Sequence, residues 1–352
     1  MQPFVYVGAP ARVVFGTGTL SQVGAELELL GAKKALVLAT PFQEGDAQKL
    51  AASLGDKSAG VFAKAAMHTP VEVTDDALAA VSASGADCTI ALGGGSTAGL
   101  GKAIAWRTDL PQIVIPTTYA GSEMTPILGE TKEGLKTTFK DPKILPEVVI
   151  YDVDLTMSLP QALSATSGMN AIAHAVEALY AKDRNPIISL ASADGIRALA
   201  SALPKIMQDP ADSQARSDAL YGAFLCGMAL GAITMALHHK LCHVLGGSFD
   251  LPHAETHTVV LPHATAFNEQ AVPELMAPVA KALGAQKAGQ GLYDLARTLG
   301  APLRLVDIGM KEEGLGRAAD IAVANPYWNP RSFTRGEVFG VLDNAFHGRR
   351  PE

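Results

Sequence analysis

Short apolar runs alternate with helical patterns over the first part of this chain: ALVLAT from Ala35, GVFAKA from Gly60, CTIALGGGS from Cys88, QIVIPTT from Gln112 and EVVIYD from Glu147. That alternation predicts a parallel sheet with crossover helices, because each strand must be carried back over a sheet face before the next can lie beside it. Ahead of it, FVYVGAPARVVFG alternates around Gly8 and Pro10 like a β-hairpin. Beyond Asp154 the period changes, and apolar residues recur at helical spacing through long alanine-rich stretches. The expectation is an α/β domain over residues 1–156, a Rossmann-like parallel sheet with a leading hairpin, followed by an all-α domain over residues 157–352. The connection YDVDLTMSLP is short, so close packing is expected, with the cleft between the domains as the default site.

At 352 residues the chain is long for one core and suits two domains. Its net charge of −7 comes without a basic run, which argues against binding nucleic acid or an anionic membrane. An anionic substrate would have to be captured locally. No apolar run approaches the roughly 20 residues that cross a bilayer, and MQPFVYVGAPARVVFG lacks the features of a secretory leader. A cytoplasmic protein is expected. Cys88, Cys226 and Cys242 are scattered and odd in number, against both a disulfide framework and a thiolate metal site.

Gly93, Gly94, Gly95 and Ser96 follow the run CTIAL and precede a helical stretch containing Lys102. Glycines there let the backbone approach an anion, and the following helix offers unpaired N–H groups to a pyrophosphate. PTTYAGSEMT ends the next strand with the hydroxyls of Thr117, Thr118 and Ser122, as expected at a dinucleotide crevice. GTGTLS at Gly16 imitates the start of a nucleotide fingerprint but reads as a simple turn. After the strand ending at Ala39 comes Thr40, Pro41, Phe42, Gln43, with no acid to oppose a 2′-phosphate, so NADH and NADPH are both admissible.

In the second half, Asn170 and His174 stand four apart in SATSGMNAIAHAVEALY, and His239 and His243 four apart in HHKLCHVLGG. Residues so spaced share a helical face. His253 follows in the loop-like DLPHAETH, so two helices and a loop could gather these side chains around one cavity. Single histidines in apolar helices are more often core residues than ligands, the simpler reading for His238, His257 and His263. Arg331 and Arg335, after NPYWNPR, read as surface charges, with carboxylate capture as the alternative.

The segments GGGSTAGLGKAIA, PTTYAGSEMT, SGMNAIAHAVEA and HVLGGSFDLPHAETHTVVLPH resemble, in that order, the iron-containing alcohol dehydrogenase superfamily, whose fold is dehydroquinate synthase-like. The resemblance assigns both glycine and threonine loops to the dinucleotide and places Lys136 beside it. It puts that family's metal ligands, one Asp and three His, on Asn170, His174, His239 and His253, with the carboxylate lost. The Asn, MHTPVEVT near His68 and NPYWNPR near Trp328 resemble the maleylacetate reductase branch. That branch implies reduction of a carbon–carbon double bond in a small dicarboxylate, giving 3-oxoadipate in aromatic catabolism, with NADH or NADPH and no obligatory metal. His243 and His253 would polarise the ketone and deliver the proton; Asn170, His174 and His239 would position the substrate. A homodimer paired through the N-terminal hairpin is expected. An iron- or zinc-dependent alcohol dehydrogenase tolerating Asn170, and a nicotinamide-binding sensor without turnover, are the competing readings.

Overall fold

The computed structural model describes Phe4, Tyr6, Gly8 and residues 11–352; the side chain of Lys136 lies outside the described residues. The chain divides into two compact units, Gly8–Leu159 and Pro160–Glu352, with Phe4 and Tyr6 grouped with the second. In the first, the strands are β1 (Arg12–Gly16), β2 (Ala35–Leu38), β3 (Ser58–Phe62), β4 (Cys88–Gly93), β5 (Gln112–Pro116), β6 (Ile127–Lys132), β7 (Leu135–Lys140) and β8 (Val148–Asp152). Six of them form one sheet in the order β1-β8-β5-β4-β2-β3. Every pairing in it is parallel.

Alternate residues of a strand face opposite ways, and both faces are covered here. Val37, Ile90, Leu92, Ile113 and Ile150 pack with Val23, Leu27 and Leu50 from α1 (Val23–Leu29) and α2 (Glu44–Leu54). Leu36, Leu38 and Phe62 pack with Ala77, Val81, Leu100 and Ile104 from α3 (Val71–Ser84) and α4 (Gly95–Thr108). Central strands with no solvent face cannot alternate apolar with polar residues, hence the continuous runs.

One feature departs from the sequence expectation, and another lies partly outside the described residues. Arg12–Gly16, expected as the second arm of a hairpin, forms β1 and pairs in parallel with β8, at the edge of the described sheet. The FVYVG arm lies outside the described residues apart from Phe4, Tyr6 and Gly8. The unexpected hairpin is β6–β7, an antiparallel pair whose turn residues Glu133 and Gly134 take φ of 51° and 77°. Positive φ at both central positions matches the right-handed strand twist.

The second unit is helical: α5 (Gln161–Tyr180), α6 (Pro186–Gln208), α7 (Ser213–Ala232), α8 (Leu237–Phe249), α9 (His253–Glu269), α10 (Pro273–Ala282), α11 (Ala288–Thr298), α12 (Gly314–Ala324) and α13 (Arg335–His347). From Ser164 onward α5 is buried on every side, the pattern of a helix at the centre of a bundle. It packs against α6, α7 and α9, and α9 packs against α8. At the α6–α7 crossing, a Cβ on Gly222 would meet Gly195 O at 2.9 Å, so glycine permits backbone contact there. Among the described residues no single helix is long and apolar enough to cross a membrane.

Candidate active site

In the sheet unit, β4 ends at Gly93 with φ of 152°, a conformation that favours glycine. A Cβ there would fall 2.4 Å from Thr97 Oγ1 and 2.8 Å from Gln43 Oε1. Gly94 begins α4 without a side-chain cap, and the place a Cβ of Gly95 would take opens on free space. No side chain occupies the helix N-terminus, which leaves its N–H groups for an anion.

Hydrogen bonds tie neighbouring strand ends to this turn. Thr117 N–H donates to Gly93 O at 3.1 Å. Gln43 Nε2 donates to Thr117 Oγ1 at 3.0 Å, and Thr40 Oγ1 donates to Gln43 Oε1 at 3.2 Å, across a short 3-10 turn that opens at Pro41. Thr118 crowds Gly94, its Cγ2 3.0 Å from where a Cβ would be. One rim thus gathers Thr40, Pro41, Gly93, Gly94, Gly95, Ser96, Thr117 and Thr118, and its glycine turn and uncapped helix fit a dinucleotide. Ser122 is held by Lys102, wholly buried on α4, whose Nζ donates to Ser122 Oγ at 3.2 Å, Thr125 Oγ1 at 2.9 Å and Ile127 O at 3.0 Å. Burial pushes Lys102 down to about 7, with Glu123 opposing. At GTGTLS, Asp152 accepts from Gly18 N at 3.0 Å and Leu20 N at 2.7 Å, which makes that segment a structural turn.

The helical unit holds a cluster of imidazoles. His174 on α5 lies with its Nδ1 2.9 Å from His239 Nε2 on α8. Ring centroids are 5.0 Å apart for His239 and His257, 4.4 Å for His257 and His253, and 6.1 Å for His239 and His243. Asn170 stands one turn before His174 on α5, with Oδ1 buried and unpartnered. His253 opens α9 rather than lying in a loop. His238 and His257, read from sequence as core, belong to the cluster, joined His238 Nε2 to His257 Nδ1 at 2.9 Å. His263 stays apart, facing Tyr293. Burial pulls His238, His239 and His257 well below the ordinary imidazole range; neighbouring imidazoles add to this, and at His238 the Glu177 carboxylate opposes it.

Glu177, absent from the sequence reading, organises the cluster. Its Oε2 accepts from Ala236 N at 2.7 Å and faces His239 Nδ1 at 2.8 Å; its Oε1 accepts from His238 N at 2.8 Å and Tyr180 OH at 3.3 Å. Desolvation pushes the carboxyl up, against these donors. Both oxygens already accept backbone N–H groups at the start of α8, so the carboxylate acts as acceptor and His239 must donate from Nδ1. His239 Nε2 is then bare and takes the Nδ1 proton of His174, which leaves the lone pair of neutral His174 on Nε2.

Two observations bear on the metal the superfamily resemblance implies. The fourth ligand position carries a neutral amide, and in the tautomers that Glu177 sets the 2.9 Å between His174 Nδ1 and His239 Nε2 is a hydrogen bond. These residues do not fit a divalent ion of the one-carboxylate, three-imidazole kind. Among the described residues, His238, Cys242 and His257 bring three donor atoms within 4.8 Å of one another. Cys242 Sγ lies 3.7 and 4.0 Å from the two ring nitrogens of His238, nearly equidistant, so the sulfur packs on the ring and lies on neither lone-pair axis.

His243 is exposed, and its Nδ1 lies 3.0 Å from Tyr327 OH, in the NPYWNPR segment. Burial raises the phenol pKa, so Tyr327 stays protonated and can donate. Arg331 is engaged within the helical unit: it donates to Phe267 O at 3.0 Å, Gln270 Oε1 at 2.8 Å and Glu337 Oε1 at 3.0 Å, with its guanidinium 3.9 Å over the Phe267 ring. Arg335 is engaged by Asp320.

Residues 10–153 match the model of the iron-containing alcohol dehydrogenases, and residues 164–346 match that of the C-terminal part of the Fe-containing alcohol dehydrogenase family. The chain is 60% identical to maleylacetate reductase of Rhizobium sp. (strain MTP-10005), over 100% of both chains. It is 56% identical to maleylacetate reductase of Sphingobium indicum, over 99% of both. The crystal structure of maleylacetate reductase from Agrobacterium tumefaciens, 59% identical, superposes with a TM-score of 0.97 and covers 100% of both chains. The chain belongs to the iron-containing alcohol dehydrogenase family.

Proposed function

We propose that the protein reduces the carbon–carbon double bond of maleylacetate with NADH or NADPH, giving 3-oxoadipate, and that it does so without an obligatory metal. The observation that carries the reading is a set without a carboxylate, the unpartnered Asn170 amide beside the hydrogen-bonded pair His174 and His239, in a chain so close to named maleylacetate reductases. In metal-dependent alcohol oxidation a cation stabilises the alkoxide. Reduction of an alkene conjugated to a ketone needs only donors for an enolate oxygen.

The sheet unit, taken as residues 1–156, holds the dinucleotide on Thr40, Pro41, the Gly93–Ser96 turn, Thr117, Thr118, Ser122 and Lys136. The bound nicotinamide supplies the hydride, which adds to the alkene carbon β to the ketone. The alkene electron pair moves to the ketone oxygen, and the enolate is then protonated at the α carbon. His243 and His253, on residues 157–352, meet that oxygen and deliver the proton. Tyr327 donating to His243 Nδ1 keeps the neutral ring's proton on Nε2, where it can serve as a donor. Asn170, His174 and His239 hold the substrate. The protein works in the cytoplasm as a homodimer, and with no acid at Thr40 to Gln43 its efficiencies with NADH and NADPH fall within about tenfold.

The test follows loss of the reduced nicotinamide's absorbance with maleylacetate, identifies the product, and repeats the assay in chelator. Undiminished turnover to 3-oxoadipate is expected. Activity that dies in chelator and returns with iron or zinc overturns metal independence.

A further inference from the structure

Lys240 sits on α8 between the two cluster residues His239 and His243, and exposes only 9% of its surface. Lys240 and His243 are three apart and so share a helical face. Both meet the same phenol: Lys240 Nζ lies 5.3 Å from the Tyr327 ring centroid, and Tyr327 OH lies 3.0 Å from His243 Nδ1. Among the described residues the Lys240 ammonium makes no hydrogen bond and no ion pair, its contact being the Tyr327 ring face. Shielded cations in proteins are almost always paired, because removing a charge from water is costly without a counter-charge. Burial lowers the Lys240 pKa.

We infer that Lys240 is the anchor for a substrate carboxylate, its ammonium held beside His243 by the Tyr327 ring until the anion arrives. The inference rests on the proposed reduction of a dicarboxylate and gives that function its recognition element. The chemistry is selective. A negative chain of net charge −7 has no general attraction for a dianion, and Arg331 and Arg335 are occupied elsewhere in the fold. A lone ammonium with three donors suits a carboxylate, and its cation–π seat on Tyr327 fixes its place while leaving those donors free.

Lys240→Met keeps the stem and removes the charge. Its kinetics would be compared with wild type on maleylacetate and on each of the two cis monomethyl esters. Esterifying one of the carboxylates should cost the wild-type enzyme on the order of 10- to 100-fold in KM, with kcat little changed. The Met variant should already carry that loss on the diacid, show no further penalty with the same ester, and bind NADH as wild type does. Lys240→Arg should recover part of the difference. A Met variant that discriminates diacid from both esters as wild type does overturns the anchor while leaving the reductase reading intact. Wild-type protein that fails to reduce maleylacetate overturns both. Should the Met variant not fold, the 13Cε resonance of Lys240 in wild-type protein loaded with NAD+ must move on adding 3-oxoadipate; an unmoved resonance overturns the inference.

Discussion

Exchanging a single imidazole separates chemistry from cofactor binding. His243→Ala and His253→Ala should each lower kcat by about 10²- to 10⁴-fold, the usual worth of positioned proton transfer, with NADH affinity unchanged because the glycine turn lies in the other unit. The double variant should lose less than the product of the two, since both groups serve one transition state. Near-normal turnover in both single variants moves the chemistry to His174 and His239. Tyr327→Phe removes one hydrogen bond, about 0.5–1.5 kcal/mol, so kcat should fall by up to roughly tenfold with KM for the cofactor unmoved. Kinetics on the folded variants decides both expectations. At this scale the sequence shows much of the cluster, because Asn170, His174, His239 and His243 repeat at helical spacing. Glu177 is harder to see: an acid in a helix reads as a solvated charge until its burial is known, and its signal is a three-residue spacing from His174. Tyr327 is 84 residues from His243 in the chain, and no local pattern links them.

Among the elements, the β4–α4 junction carries the sharpest expectation. Gly93→Ala must place a Cβ 2.4 Å from Thr97 Oγ1 while holding φ at 152°, and such strain costs about 1–3 kcal/mol. The turn should relax by moving away from Thr97, so the dissociation constant for NADH should rise at least tenfold while the thermal midpoint drops by a few degrees. Calorimetric titration of the folded variant measures this, and unchanged affinity would remove the turn from the cofactor site. The four fully buried strands, β2, β4, β5 and β8, are visible in the sequence because their runs are almost wholly apolar. The β6–β7 hairpin is not, since ILGETK and LKTTFK are half-exposed, mix charge with apolar residues, and join through Glu133–Gly134, a weaker turn signal than Asn-Gly or Asp-Gly. ARVVFG alternates as an edge strand would, and alternation alone does not reveal that its described neighbour β8 lies parallel to it.

Over the whole molecule, buried imidazoles set how stability responds to acid. His238, His239 and His257 are held well below 6.5, and His263 is pushed down to about 4, all chiefly by burial. In the unfolded chain these rings take up protons near 6.5. Between that value and their lowered folded values the unfolded state binds more protons, so stability present above pH 6.5 is lost as pH falls, by up to about 1.4 kcal/mol per pH unit for each ring. Glu177 and Glu123 act in the opposite sense, because their carboxyls, raised chiefly by burial, protonate first in the folded state, but they are two groups against four rings. Thermal midpoints should therefore fall clearly from pH 7 to pH 5, and a flat profile would mean that the rings titrate in the folded protein.

The Glu177 carboxylate has one more consequence, for how variants of this protein would be sorted. The same two oxygens hold the first N–H groups of α8 and set the proton of His239, so no substitution there can alter one without the other. A screen for abundance or heat resistance would file Glu177 variants with ordinary core lesions and discard them, although the surviving folded fraction would be chemically altered as well. Selection for foldedness alone would then keep the tautomer in place, with no pressure on catalysis required.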